Sequence, residues 1–223
     1  LKKKLLPRPS TSHYTFNLRD LSKLFQGILQ ASPQIITEKD DFVKLWIHEG
    51  ARVFRDRLTS EQDTTWFSYL QQEMLEKHFQ IFWNTSVFNE LIFTDILSRD
   101  VDKVYERVYD TNGLPSMLQD ILLDYNVEKN TEIDLVFFKD AIHHLLRLCR
   151  IIRQPRGNAL LVGVGGSGRH SLARLAAFVV GYSCIEIEIT KNFQHVHFRE
   201  ALKQILLTAG CEAKPLVFLF SDT

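Results

Sequence analysis

Residues 158–181 read NALLVGVGGSGRHSLARLAAFVVG: a short apolar run, a glycine-dense loop and an amphipathic helix in unbroken succession. No other feature constrains the fold as tightly. Ala159–Val162 is too short for a helix and reads as a buried strand, and a helix over Arg169 to Val180 closes at Gly181. The same alternation continues downstream. Ile185 to Ile189 reads as a second strand, Phe198, Leu202, Ile205 and Leu206 mark a helix, and Leu216–Phe220 is a third strand. Strands alternating with helices predict a parallel α/β sheet with right-handed crossovers. Such a sheet needs further strands past VFLFSDT, so the chain is expected to be an excerpt of a longer polypeptide.

Upstream the period is helical throughout. Asn17 followed by Asp20 has capping-box spacing, and Leu18, Leu21, Leu24, Phe25, Ile28 and Leu29 recur at helical intervals up to Pro33. Thr37 and Asp40 announce a second helix with Phe42, Leu45, Trp46, Val53 and Phe54 on one stripe. A third runs from about Asp63 through Trp66, Phe67, Leu70, Met74 and Leu75 to Phe79. Stripes of this kind require helix packed on helix. Residues 84–130 are less regular, with a turn at Asn112-Gly113 and a helix near 115–124. A helix from about Asp134 aligns Leu135, Phe138, Ile142, Leu145, Leu146, Cys149 and Ile152 before Pro155. The predicted fold is therefore all-α plus α/β. A helical bundle spans 1–83, a connector or start of the next module spans 84–130, and 131–223 begins a parallel phosphate-loop sheet, incomplete at its C-terminal end.

Composition removes several function classes. Lys plus Arg and Asp plus Glu both number 27, so no net charge steers the chain to nucleic acid or an anionic membrane. No apolar run is long enough to span a bilayer. Without a basic stripe, Trp46, Trp66 and Trp83 read as core anchors rather than base-stacking platforms. Cys149, Cys184 and Cys211 lie far apart in apolar segments and read as buried free thiols. LKKKLLPRPS reads as a linker, and the charged run Arg52–Arg57 as a solvated helix face. His48-Glu49 opens like a zinc motif, but Arg52 stands where the second histidine belongs. His143, His144, His195 and His197 lack partners at ligand spacing and read as surface or capping residues.

The loop carries the chemistry. Gly163, Val164, Gly165, Gly166, Ser167 and Gly168 keep the spacing of the phosphate-loop pattern G-x-x-x-x-G-K-[ST]. Backbone amides there would nest an anion at a positive helix end. A glycine turn without ligand is the competing reading, against which the strand–loop–helix context weighs. Arg169 replaces the lysine and keeps its charge in a longer, planar form. His170 replaces the hydroxyl that would hold Mg²⁺, and an imidazole suits that cation poorly. Ser171 carries a hydroxyl one position late, turned about 100° around the helix. On the partner strand Ser221 stands where the metal-holding carboxylate belongs and Asp222 in the base position. Ser171, Ser221 and Asp222 are thus the available Mg²⁺ positions, and weak ones. Losing about 3 kcal/mol of transition-state stabilisation at one such group slows turnover on the order of a hundredfold. The loop is expected to bind nucleotide with little or no hydrolysis.

Taken together these strings resemble a known family. GNALLVGVGGSGRHSLARLAA, DLVFFKDAIHHLLRLCRIIRQPRGN and VFLFSDT are similar to the fourth AAA+ module of axonemal dynein heavy chains. HYTFNLRDLSKLFQGIL and LWIHEGARVFRDRL resemble the helical lid of the third module. The resemblance covers nearly the whole chain, most weakly 84–130. It implies ADP or ATP at the loop, in a regulatory module of a six-module ring whose first module hydrolyses most of the ATP. A non-hydroxyl residue at position 170 is usual in this module, though commonly Gln, so His170 is a departure. The resemblance further implies that Arg19 is the lid's sensor for the preceding module's nucleotide, an exposed first-turn cation being the alternative. It places Leu135, Val136 and Phe137 on the adenine side, where periodicity alone reads core. Implied partners are the other AAA+ modules, dynein intermediate and light chains, and microtubules, in the cytoplasm, cytoskeleton and ciliary axoneme. A structural ring segment with a vestigial pocket is the alternative function. A self-contained phosphate-loop enzyme is disfavoured.

Overall fold

The computed structural model describes residues 1–97, 103–187 and 193–221. These divide into two compact units, Leu1–Tyr109 and Asp110–Thr223. No helix among the described residues is long and apolar enough to cross a membrane.

The first unit is helical. Its helices are α1 (Leu18–Ile28), α2 (Lys39–Val53), α3 (Glu61–Phe79) and the single turn α4 (Thr85–Phe88). The capping box forms as the spacing predicts: the Arg19 amide donates to Asn17 Oδ1 at 2.8 Å and the Asn17 amide to Asp20 Oδ2 at 2.9 Å. The apolar stripe of α1 is not buried as a whole, however. Leu24 is buried, while Leu18, Leu21, Phe25 and Leu29 are exposed. The helix is rolled by a polar tie, because Arg57 donates to Asp20 Oδ1 at 2.8 Å and draws that buried carboxylate inward.

Arg57 also corrects the reading of 52–57 as a solvated face. Its Nη2 donates to the carbonyls of His13 and Thr15 at 3.0 and 3.2 Å, and its guanidinium lies 4.9 Å from the Phe16 ring centroid. Arg52 pairs with Asp56 at 2.8 Å, and burial holds the Arg55 pKa below its ordinary value, helped by the neighbouring Arg52 charge. The opening stretch is likewise tied in rather than a free linker. Leu5 is buried with Tyr14, Phe16, Leu58 and Phe67, and Lys4 sits over the Trp66 ring. Trp46 and Trp83 pack against a second cluster of Val43, Ile47, Leu75, Phe88 and Leu91, as core anchors should.

A two-residue antiparallel ribbon, β1 (Phe93–Thr94) with β2 (Glu106–Arg107), closes this unit. It brings Tyr105 to α2, where the phenol donates to Glu49 Oε1 at 2.6 Å. His48 beside it is buried, with Nδ1 at 2.9 Å from the Leu91 carbonyl oxygen. The apparent zinc motif is therefore a polar core that anchors the ribbon.

The second unit contains α5 (Leu114–Lys129), α6 (Lys139–Arg153), α7 (Arg169–Val180), β3 (Ser183–Glu186), α8 (His195–Gly210) and β4 (Leu216–Leu219). Helices α6 and α7 pack together through Leu145, Cys149, Leu175 and Ala176, all essentially buried. Tyr125 of α5 meets Phe178 of α7 edge to face at 5.2 Å. Strands β3 and β4 are parallel, with Ser183 opposite Leu216 and Glu186 opposite Leu219, joined through α8 as predicted. His197 caps α8 by accepting from the Gln194 amide at 3.0 Å.

Three expectations need correction in this unit. Ala159–Val162 forms no strand: among the described residues nothing pairs with it, and Leu160 and Val162 are 89% and 85% exposed. A strand exists through its partner's hydrogen bonds, and apolar composition alone does not supply them. Helix α6 starts at Lys139, not near Asp134, so Leu135 and Phe138 leave its buried face and Phe138 becomes an extended, exposed N-cap. The three thiols are free, but only Cys149 is buried; Cys184 is partly exposed and Cys211 exposed.

The Tyr105–Glu49 bond offers a test of the first unit. Tyr105→Phe removes the donor to a fully buried carboxylate and should lower unfolding free energy by about 1–3 kcal/mol, measured by denaturant titration of tryptophan fluorescence.

Candidate functional site

The loop 163–168 owes its shape to backbone conformations that few residues tolerate. Gly166 and Gly168 both have φ of 74°, in the left-handed region, and Gly168 is the N-cap from which α7 starts. Among the described residues, no amide of Gly163 to Gly168 is taken by a protein acceptor. Five neighbouring positions, 163 to 167, are exposed. Unclaimed donors fanned around a helix N-terminus are what an anionic oxygen requires.

The predicted residues fall out as follows. Arg169 is half-buried, its stem passes Gly163, and its Nη2 donates to the Val164 carbonyl oxygen at 3.3 Å. Its guanidinium has no carboxylate partner among the described residues. Leu135 reaches the loop: a Cβ at Gly168 would lie 3.6 Å from its Cδ2. Phe137 is half-buried, whereas Val136 is 76% exposed. Ser171 and Ser221 are half-buried, and Asp222 lies outside the described residues. Arg19 is an exposed residue in the first turn of α1, in the other unit.

Two residues that pattern reading missed complete the site. Asn126 of α5 donates from Nδ2 to the Ile133 carbonyl at 2.8 Å and accepts from the Ile133 amide at 3.0 Å. That clamp holds the segment leading to Leu135 extended. Glu186, the last residue of β3, places Oε1 3.3 Å from His170 Nδ1 while Oε2 is grasped by Arg174, one turn further along α7. His170 and Arg174 are four apart and share a helix face, a spacing visible in the sequence. Their partner, on a strand, was not.

Glu186 also shapes its neighbours' acidities. The hydrogen bond from Arg174 to Glu186 raises the Arg174 pKa from an already high value. Burial pushes the Cys184 thiol up, with Arg174 opposing, so it is protonated at neutral pH. Glu186 stands opposite Leu219, so the two parallel strands end level, with Glu186 reaching His170 in the first turn of α7. Among the described residues no cluster of three or more His, Cys, Asp or Glu could hold a metal. A cavity of about 960 Å³ lies elsewhere in this unit, between Tyr125, Phe178, Tyr182 and β3, and none of residues 163–170 lines it.

Two family models match the chain. The model of the AAA+ lid domain matches residues 1–89, and that of the P-loop containing dynein motor region D4 matches residues 133–223. Dynein axonemal heavy chain 6 of Homo sapiens is 47% identical over 224 residues, and dynein axonemal heavy chain 1 of Mus musculus 44% over 220, each covering 98% of this chain. The dynein-1-beta heavy chain of the flagellar inner arm I1 complex of Chlamydomonas reinhardtii is 46% identical over 229 residues, covering 100%. The chain spans 5% of the length of each of these relatives.

The turn that feeds the loop can be tested directly. A Cβ at Gly157 would stand 1.7 Å from the Ile151 carbonyl oxygen, whereas one at Gly165 would meet nothing within 4 Å. Gly157→Ala should destabilise by about 1–3 kcal/mol. Gly165→Ala should stay within about 0.5 kcal/mol of the parent in thermal unfolding.

Proposed function

Since the chain belongs to the axonemal dynein heavy-chain family, we propose that it forms part of an AAA+ motor ring and carries a regulatory nucleotide site. In this reading residues 1–83 are the lid of the third module, 84–130 the passage to the next, and 131–223 the start of the fourth. The loop holds ADP or ATP and hydrolyses it weakly or not at all. The ring's main turnover, microtubule stepping and the contacts with intermediate and light chains belong to the whole heavy chain, in the cytoskeleton of the ciliary axoneme.

One observation carries the reading: among the described residues, the loop presents unclaimed amides at the start of α7, with the cation of Arg169 beside them and no carboxylate paired with it. That arrangement supplies binding. It lacks what cleavage needs, because His170 replaces the metal-holding hydroxyl and Ser221 the metal-holding carboxylate. Leu135 against Gly168 supplies an apolar contact for adenine, with Phe137 two residues on. Arg19, exposed and capped into place at the start of α1, is free to reach the preceding module's nucleotide.

The bond from Arg169 to the Val164 carbonyl favours a second reading, a vestigial pocket folded on itself in a structural segment. Nucleotide binding separates the two. Arg169→Ala in the intact heavy chain should lose one class of bound ADP or ATP, with affinity at that class down roughly tenfold or more. Titration with fluorescent nucleotide reads this out. A parent chain that shows no Arg169-dependent class at millimolar ATP supports the vestigial pocket instead.

A further inference from the structure

We propose that the nucleotide at this loop is a diphosphate bound free of divalent cation, because Glu186 engages the side chain that stands in the metal-holding place. The inference rests on the phosphate-cradle reading above and concerns what accompanies the phosphates. A phosphate loop holds Mg²⁺ through a hydroxyl on the first turn of its helix and a carboxylate on the partner strand. Both are changed here. The side chain at the first place is an imidazole, and its Nδ1 lies 3.3 Å from Glu186 Oε1. The residue at the second is Ser221.

Glu186 does not substitute as a magnesium ligand. His170 faces one of its oxygens and the Arg174 guanidinium grasps the other, so a fixed positive charge already matches this carboxylate. A second cation there would meet like-charge repulsion instead of an open oxygen. Only one third of that triad is anionic, and that third is matched. Phosphate charge is left to the loop amides, the α7 N-terminus and Arg169. These groups would serve a β-phosphate. The γ-phosphate is the one that metal and partner-strand carboxylate would serve, so the donor set suits a diphosphate.

Cation dependence tests this in the intact heavy chain. ADP affinity is measured in millimolar Mg²⁺ and in excess EDTA, and the Arg169→Ala chain is subtracted to remove the other modules. The Arg169-dependent affinity should agree in the two buffers within about twofold; a fall of roughly tenfold in EDTA, about 1.4 kcal/mol, overturns the proposal. His170→Thr restores the hydroxyl and should make binding Mg²⁺-dependent, gaining one Mn²⁺ per chain by electron paramagnetic resonance. His170→Gln supplies no hydroxyl and should stay cation-independent. Cation dependence equal in both variants and parent counts against the proposal. Absence of Arg169-dependent ADP in either buffer removes the phosphate-cradle reading and this one together, whereas ADP held only with Mg²⁺ removes this one alone.

Discussion

The second unit depends on one carboxylate. Glu186 ends β3 and holds His170 and Arg174, consecutive turns of the same face of α7. Without that grip the helix behind the glycine loop would be set mainly by apolar packing, against α6 and through Phe178 against Tyr125 of α5. Packing fixes how close two elements lie but tolerates sliding along the axis. A hydrogen-bonded ion pair fixes register as well as distance. Because the pair is partly exposed, its energetic weight is small; its weight is geometric. The first turn of α7, where the phosphate would sit, is therefore aligned with the strand ends rather than merely near them.

The first unit solves the same problem with the charges reversed. There Arg57 is the central group, reaching Asp20 of α1 and the carbonyls of His13 and Thr15. One guanidinium with several donors can join an irregular opening segment to a helix, which a lysine's point charge does less well. The consequence is the unexpected roll of α1. Asp20 faces inward, and Leu18, Leu21, Phe25 and Leu29 line up on the exposed side. Arg19, about 100° round the helix from the inward Asp20, is left exposed by the same roll. Its availability is a by-product of how α1 is tied down.

What the sequence revealed depended on how local the determinant was. The capping box at Asn17 and Asp20, the span of α7 and its Gly181 cap are set by residues within one turn of each other, and they stand as read. Family resemblance also reached the right motor region, because it rests on long strings. The roll of α1, the late start of α6 and the ties of the 52–57 run each depend on a partner many residues away. Periodicity cannot weigh Arg57 against a leucine stripe, nor foresee that Asn126 will hold 133 extended. Glu186 was hidden for the same reason. It sits in an alternating strand, where a charged residue reads as an outward face, and its partners precede it by 12 and 16 residues.

The run at 159–162 shows that the shape of the loop does not depend on strand pairing there. Leu160, Val162 and Val164 are exposed, yet the loop that follows keeps its left-handed glycines and its unclaimed amides. Those features follow from φ values at Gly166 and Gly168 and from the start of α7, all within a few residues. A cradle encoded so locally can form before a sheet is assembled around it, and additional strands would then fix its position, not its shape. Catalysis is different in kind. It requires a hydroxyl on α7 and carboxylates on another strand to converge to within hydrogen-bond reach. In this chain Glu186 achieves convergence of that type, but it brings together a carboxylate, an imidazole and a guanidinium. The long-range contact that a hydrolase would devote to metal and water is used here to brace the helix.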